Sequence, residues 1–214
     1  MKENLISELT DWVKPFFSSN CSITSASSDA SFRSYYRVSS PDSTKIIMVA
    51  PPEHEPIESF LDITQRLFKA NINIPKIYKV DKSQGLILMS DLGKDKYLDI
   101  LNKETLYCLY TDAIDCLYKM QNNADKIGLK EFDKLEQINE MKLFDEWFLN
   151  KHLKINLSRE KQEQLHQCYS HIYSIILKIP KTFVHRDFHS RNLMVTSKNN
   201  PGVLDYQDAV IGPL

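Results

Sequence analysis

Glycine is scarce in this chain, with five in 214 residues, and none falls in a G-x-G-x-x-G or a Walker A run. The phosphate-cradling loops of Rossmann and P-loop proteins need those glycines, so both classes are excluded. The four cysteines, Cys21, Cys108, Cys116 and Cys168, form no C-x-x-C pair. In a chain without a secretion signal they read as reduced, packed thiols. Neither sign of charge dominates: 27 Lys and Arg face 28 Asp and Glu, a net charge of −1. Without a basic excess there is no phosphate footprint for nucleic acid, and Lys76, Lys79 and Lys82 read as a solvated face. No apolar run approaches the ~20 residues a membrane span requires. The opening Met1-Lys2-Glu3-Asn4 has no signal-peptide character. What is left, 42% hydrophobic and 26% charged residues, describes a cytoplasmic enzyme of one large domain or two small lobes.

The stretch that is informative runs Phe183-Val184-His185-Arg186-Asp187-Phe188-His189-Ser190-Arg191-Asn192, followed by Val203-Leu204-Asp205. It places an Asp on a tight loop, an Asn five positions on, and a second Asp 18 positions after the first. A kinase needs this set: one carboxylate to orient the acceptor hydroxyl, and an amide and a carboxylate to hold Mg²⁺ on the nucleotide phosphates. A strand from Leu193 to Thr196, a turn at Asn199-Asn200-Pro201-Gly202 and a strand at Val203-Leu204 fit between them. Such a hairpin returns Asp205 to Asn192 so that the two can share one metal. The competing reading is metal hydrolysis, because His185-x-Asp187-x-His189 alternates like ligands on a strand.

Upstream, Leu5, Leu9, Trp12, Val13 and Phe16 recur at helical spacing and predict an amphipathic helix over 2–17. Strands follow from Cys21 to Ala26, Phe32 to Val38 and Lys45 to Ala50, the first two joined by a Ser-rich turn. Serine hydroxyls and backbone N–H groups in that turn suffice to cover phosphates. A helix from Ile57 to about Ala70, and strands at Ile77 to Val80 and Leu86 to Ser90, complete a small lobe. Leu88-Met89-Ser90-Asp91 is then the hinge against an adenine ring, or Met89 is plain core. Beyond Gly93 the pattern is helical: a short turn from Tyr97 to Leu101, then Glu104 to Gln121, Ile138 to His152, and a helix capped by Ser158 and running to about Lys178. In the third of these, Glu146 and Trp147 are either a grip on a sugar or a solvated charge beside a core indole.

Taken together, His185-Arg186-Asp187 through Asn192 with Asp205 resembles the aminoglycoside phosphotransferase and choline kinase superfamily. Four stretches are more closely similar to the bacterial anomeric kinases for N-acetylmuramate and N-acetylglucosamine of cell-wall recycling. They are Asp29-Ala30-Ser31-Phe32-Arg33 with Tyr36-Arg37-Val38, Met48 with Ala50-Pro51-Pro52-Glu53, Phe144-Asp145-Glu146-Trp147-Phe148, and the catalytic stretch running on to Asp205-Tyr206-Gln207-Asp208-Ala209. The resemblance implies an α+β, bilobal protein-kinase-like fold, with a small β-sheet N-lobe at 1–92 and a helical C-lobe at 93–214. It implies ATP and Mg²⁺ as cofactors, Asp187 as catalytic base, and Asn192 and Asp205 as metal ligands. The turn carrying Ser28, Ser31 and Phe32 would cover the nucleotide, with Met89 and Asp91 at the hinge. The acceptor would be a small molecule, an amino sugar, met by Glu146, Arg191, Gln207 and Asp208.

Two departures stand out. The third strand of a kinase offers a Lys to the phosphates, whereas Ile46-Ile47-Met48-Val49-Ala50 has none and only Lys45 stands at its edge. Lys45, Arg33 or Arg37 substitutes, or Mg²⁺ carries more of the charge. The sequence also stops at Leu214, nine residues past Asp205, where the relatives continue into helices that wall the acceptor site. The C-lobe is therefore expected to be incomplete. An aminoglycoside or choline-like acceptor, and a nucleotide-binding module without catalysis, remain as alternative functions.

Overall fold

The computed structural model describes residues 2–17, 19–28 and 32–214, with backbone alone at 2–4, 27 and 28. Five strands form one antiparallel sheet: β1 (Ser22–Ser28), β2 (Ser34–Ser39), β3 (Thr44–Val49), β4 (Ile77–Asp81) and β5 (Leu86–Ser90), in the order β1-β2-β3-β5-β4. Side chains alternate across a strand, and β3 shows the consequence. Ile47 and Val49 pack toward α1 (Lys2–Val13), among Leu9, Val13, Val38 and Leu88, whereas Ile46 and Met48 pack on the opposite side. Two lysines clamp α1 and the turn after it to the sheet. Lys79 Nζ donates to the Trp12 carbonyl at 2.9 Å and lies 4.4 Å from the indole centroid. Lys45 Nζ donates to the Phe16 carbonyl at 3.3 Å and lies 4.3 Å from the Phe17 ring. Lys79 is thus a packing residue, not part of a solvated face.

The opposite side of the sheet meets α2 (Glu58–Lys69), whose Phe60, Ile63 and Leu67 are buried. Their core continues without a break into the second half of the chain through Phe183, Leu193, Val203 and Tyr206. That half contains α3 (Tyr97–Ile100), α4 (Leu106–Asn123), α5 (Lys134–Leu143) and α6 (Arg159–Ile176). It also holds β6 (Lys181–Val184), β7 (Leu193–Met194), β8 (Gly202–Val203) and β9 (Val210–Pro213), paired antiparallel as β6–β9 and β7–β8.

Several boundaries differ from the periodicity reading. The second strand starts at Ser34, which leaves Phe32 in the turn. Asp133 caps α5 by accepting from the Glu136 N–H at 2.9 Å, so the helix begins before Ile138. After Leu143 the coil widens into a π-helical stretch, Phe144–His152, closed by an N–H of Leu153 to the carbonyl of Phe148 at 2.9 Å. Trp147 on that stretch is 57% exposed, not a core indole. Ser158 caps α6 as its position suggested, accepting from the Lys161 N–H.

Gly85 closes the β4–β5 turn against β3. Its carbonyl accepts from the Ala50 N–H at 2.9 Å, its φ is +64°, and a Cβ there would lie 1.8 Å from the Ala50 carbonyl oxygen. Gly85→Ala combines a left-handed conformation with a backbone clash and is expected to cost more than about 2 kcal/mol. Urea unfolding checks this, with a lowered midpoint at unchanged slope as the expected result.

Candidate active site

The chain leaves β6 at Val184 and enters a loop anchored by His185, which is 2% exposed. Its Nε2 lies 3.1 Å from the Leu204 carbonyl. A carbonyl only accepts, so this nitrogen carries the proton. Burial holds the imidazole below its ordinary value of 6.5, outweighing the opposing pull of the Asp205 carboxylate. It is therefore a neutral strut between the two functional loops. The Asp187 carbonyl accepts from the His189 N–H at 3.1 Å and from Asn192 Nδ2 at 3.0 Å. The same Nδ2 reaches Asp205 Oδ2 at 3.2 Å, while the Leu204 N–H donates to the Asn192 carbonyl at 2.9 Å. The hairpin expected between Asn192 and Asp205 is present, with Leu193 paired to Val203. Arg186 at φ 75° and Asp205 at φ 60° flank it in left-handed conformations, which non-glycine residues hold only where their surroundings enforce them.

The residue after Asp205 fastens the loop to α2. Tyr206 is fully buried, stacks on Phe60 with centroids 5.1 Å apart, and shares a 3.0 Å hydrogen bond with the Thr64 hydroxyl. Gln207 Nε2 donates to Asp205 Oδ1 at 2.8 Å and to Asp208 Oδ2 at 3.2 Å. The amide must face this way, because its oxygen would repel both carboxylates. Ser59 Oγ, from the first turn of α2, donates to the Gln207 carbonyl at 2.6 Å. Neither Tyr206 nor Ser59 was singled out from sequence, although the D-Y-Q-D-A run was the available signal.

As a donor set, the Asn192 amide and the Asp205 carboxylate offer hard oxygens. Mg²⁺ takes one or two such protein ligands and completes its shell from phosphates and water, so the pair fits that ion. The hydrolase reading does not survive. His185, Asp187 and His189 lie in a loop beyond β6. His185 Nε2 is held by Leu204, and His189 Nδ1 accepts the Arg191 N–H at 3.3 Å. Among the described residues no three His, Cys, Asp or Glu side chains converge on a point.

A cleft of about 840 Å³ opens between the sheet and these loops, within the range of small-molecule sites. Tyr35, Ile46, Met89, Met194 and Leu204 give it apolar walls; Asn192, Asp205, Gln207, Asp208 and Arg191 line it from the loop side. The remaining sequence candidates are distributed unevenly. Ser28 ends β1 and Ser31 lies outside the described residues. Phe32, 64% exposed, stacks on His54 at 4.6 Å and is not among the cleft-lining residues. Asp91 lines the cleft, but its carboxylate is engaged by Arg37 through bonds of 2.7 and 3.0 Å. Glu146 lies off the cleft and pairs with Lys151 at 2.9 Å, whose ammonium sits over Trp147. Arg186 pairs with Glu140. Lys45 points to the α1 side, as described, and so does not serve the cleft.

Residues 22–214 match the phosphotransferase enzyme family. The chain belongs to that family. Three curated relatives bear the name N-acetylmuramate/N-acetylglucosamine kinase. That of Pseudomonas putida is 39% identical over 193 residues, covering 90% of this chain and 57% of the relative. That of Pseudomonas aeruginosa is 38% identical over 190 residues, covering 88% and 56%. The Neisseria meningitidis protein is 33% identical over 213 residues, covering 97% and 63%. This phosphotransferase family member therefore spans less than two thirds of the length of each. Among solved structures, ADP-bound aminoglycoside phosphotransferase APH(2'')-Ib superposes with a TM-score of 0.68 at 17% identity, over 97% of this chain and 72% of that one. Choline kinase LicA from Streptococcus pneumoniae gives 0.68 at 11% identity, over 98% and 71%. These likenesses establish the kinase-like fold.

The Arg37–Asp91 pair, nearly buried on the carboxylate side, has a pH signature. Burial raises the Asp91 pKa, but the hydrogen bonds from Arg37 and the Gly93 N–H outweigh it and hold the carboxyl below 3.8. A depressed carboxyl stabilises the fold fully above its unfolded pKa and loses that contribution as pH falls through the folded one. Asp91→Asn is expected to cost about 1–3 kcal/mol at pH 7. The gap to wild type should close as the pH is taken below 3.8, as read from denaturant unfolding across a pH series.

Proposed function

We propose that this chain is an ATP-dependent kinase for a small-molecule acceptor, transferring the γ-phosphoryl group to the anomeric hydroxyl of N-acetylmuramate or N-acetylglucosamine. The observation that supports it most is the Asn192 amide, which joins the Asp187 carbonyl to the Asp205 carboxylate. Kinship with amino-sugar kinases at up to 39% identity agrees with it. Asp187 accepts a hydrogen bond from the attacking hydroxyl and takes its proton late in a loose transition state. An anomeric hydroxyl is more acidic than an ordinary alcohol, which lowers the demand on that carboxylate. Asn192 and Asp205 would hold Mg²⁺, which when bound would neutralise charge on the phosphates. Gln207 keeps the Asp205 carboxylate aimed, and Met89 with the backbone from Ser90 to Gly93 flanks the adenine. Asp208 and Arg191 face the acceptor side of the same cleft. A cytoplasmic setting, where ATP is supplied, accords with this reading.

Phosphate transfer from Mg·ATP to N-acetylmuramate, N-acetylglucosamine, kanamycin and choline tests the reading, with loss of the sugar's reducing end as readout. Anomeric phosphorylation of the amino sugars is the expected result. Asp187→Asn should lower turnover by roughly 10²–10⁴-fold, the range for a lost general base, while Mg·ATP affinity is unchanged. Transfer to kanamycin or choline alone overturns the sugar assignment, and bound nucleotide without transfer to any acceptor overturns the kinase assignment.

A further inference from the structure

A nucleotide triphosphate needs a cation besides its metal, and β3 does not supply one. Its cleft-side residues are Ile46 and Met48, and Lys45 is spent on Phe16 and Phe17. Arg37, opposite Ile46 in the register, shares that side of the sheet. It is already committed to both oxygens of Asp91 and to the Gly93 carbonyl at 2.7 Å. Lys94 and Lys96 also line the cleft, but they follow Gly93 at the hinge, where a nucleotide presents its base.

Arg33 is placed differently. It sits just before β2, at the end of the Ser-rich turn, lines the cleft, and is 8% exposed. Its Nη2 lies 2.7 Å from Glu55 Oε2, the two side chains being 9% and 21% exposed. Glu55 itself is fixed by its N–H on the Pro51 carbonyl at 2.8 Å. The neighbouring residues repeat the contact, since Phe32 stacks on His54. Four residues after Glu55, Ser59 holds the Gln207 carbonyl, and Gln207 holds Asp205. Arg33 and the proposed metal carboxylate are thus both tied to the short segment 55–59 that leads into α2. A planar guanidinium matches phosphate oxygens geometrically, and the Glu55 carboxylate behind it helps to fix its direction.

We propose that Arg33, oriented by Glu55, is the residue that binds the nucleotide phosphates, in the role a third-strand lysine would fill. The proposal rests on the nucleotide-binding reading above. Titration calorimetry with Mg·ATP and with adenosine, on wild type, Arg33→Ala, Arg33→Lys, Glu55→Gln and Lys45→Ala, separates the two. Arg33→Ala should weaken Mg·ATP binding roughly 10–100-fold, the range for hydrogen bonds to a charged group, and leave adenosine affinity unchanged. Arg33→Lys and Glu55→Gln should give intermediate losses confined to Mg·ATP, and Lys45→Ala none. Wild-type Mg·ATP affinity in Arg33→Lys and Glu55→Gln overturns the proposal even where Arg33→Ala fails to fold. Equal losses for adenosine and Mg·ATP overturn a phosphate-specific role. A wild-type chain that binds no Mg·ATP overturns the nucleotide reading, and the proposal with it.

Discussion

The site depends on one side-chain amide. Asn192 Nδ2 lies within hydrogen-bond distance of both the Asp187 carbonyl and the Asp205 carboxylate, and the Asn192 carbonyl accepts from Leu204. Three contacts from one residue close the loop around the proposed base and the loop bearing the proposed metal carboxylate onto each other. His185 adds a fourth tie from beneath, through the Leu204 carbonyl. The left-handed backbone at Arg186 and Asp205 is tolerable because these bonds fix what lies between them. Strained residues of this kind cost of order 1–3 kcal/mol each and persist only where the surroundings over-determine them. An aspartate at 192 would face Asp205 with a like charge, which explains why the position calls for an amide.

From that joint the organisation runs outward through Tyr206. Its ring lies between the backbone of Asp205 and α2, where Phe60 and the Thr64 hydroxyl receive it. Because α2 also packs under the sheet, the core that holds Met48 and Met89 is the same core that holds Phe183 and Val203. Burial of such aromatic residues is worth several kcal/mol. The position of the nucleotide-facing strands is therefore set by the packing that positions Asp205, and the Ser59–Gln207 bond makes the connection at the polar surface as well.

Much of this was legible in the chain, for identifiable reasons. The hairpin from Asn192 to Asp205 could be read because a turn rich in Asn, Pro and Gly stood between two apolar pairs of residues. Helix α1 was legible from its 3.6-residue period, and α6 from Ser158. The β6–β9 pair was not: each strand is four residues long and the two lie far apart in sequence, so neither period nor turn announces them. Alternation puts Lys45 on one side of β3 with Ile47 and Val49 but does not say which side faces the cleft. That depended on where α1 docked. The Arg33–Glu55 and Phe32–His54 contacts are likewise products of two loops meeting, which no local pattern encodes.

The charge pattern of the cleft bears on how a nucleotide would enter it. Arg33 is paired with Glu55 and Arg37 with Asp91, so each of these arginine charges is offset by a carboxylate. On the loop side, Asp205 and Asp208 share the amide donor Gln207 Nε2, and Asp205 also accepts from Asn192 Nδ2. A bare triphosphate approaching these carboxylates meets repulsion in a partly enclosed, low-dielectric space, where such interactions are stronger than in water. A divalent cation held by Asn192 and Asp205, as proposed, would reverse the sign, because it would offset the Asp205 charge and share its own with the phosphates. On the proposed reading, nucleotide and metal would be favoured together over either alone. A lysine at Ile46 or Met48 would have placed a fixed ammonium against the apolar wall beside Met89. Under the proposal, the pairing of Arg33 with Glu55 would instead keep the cation at the phosphate end, compensated until phosphate oxygens compete for it.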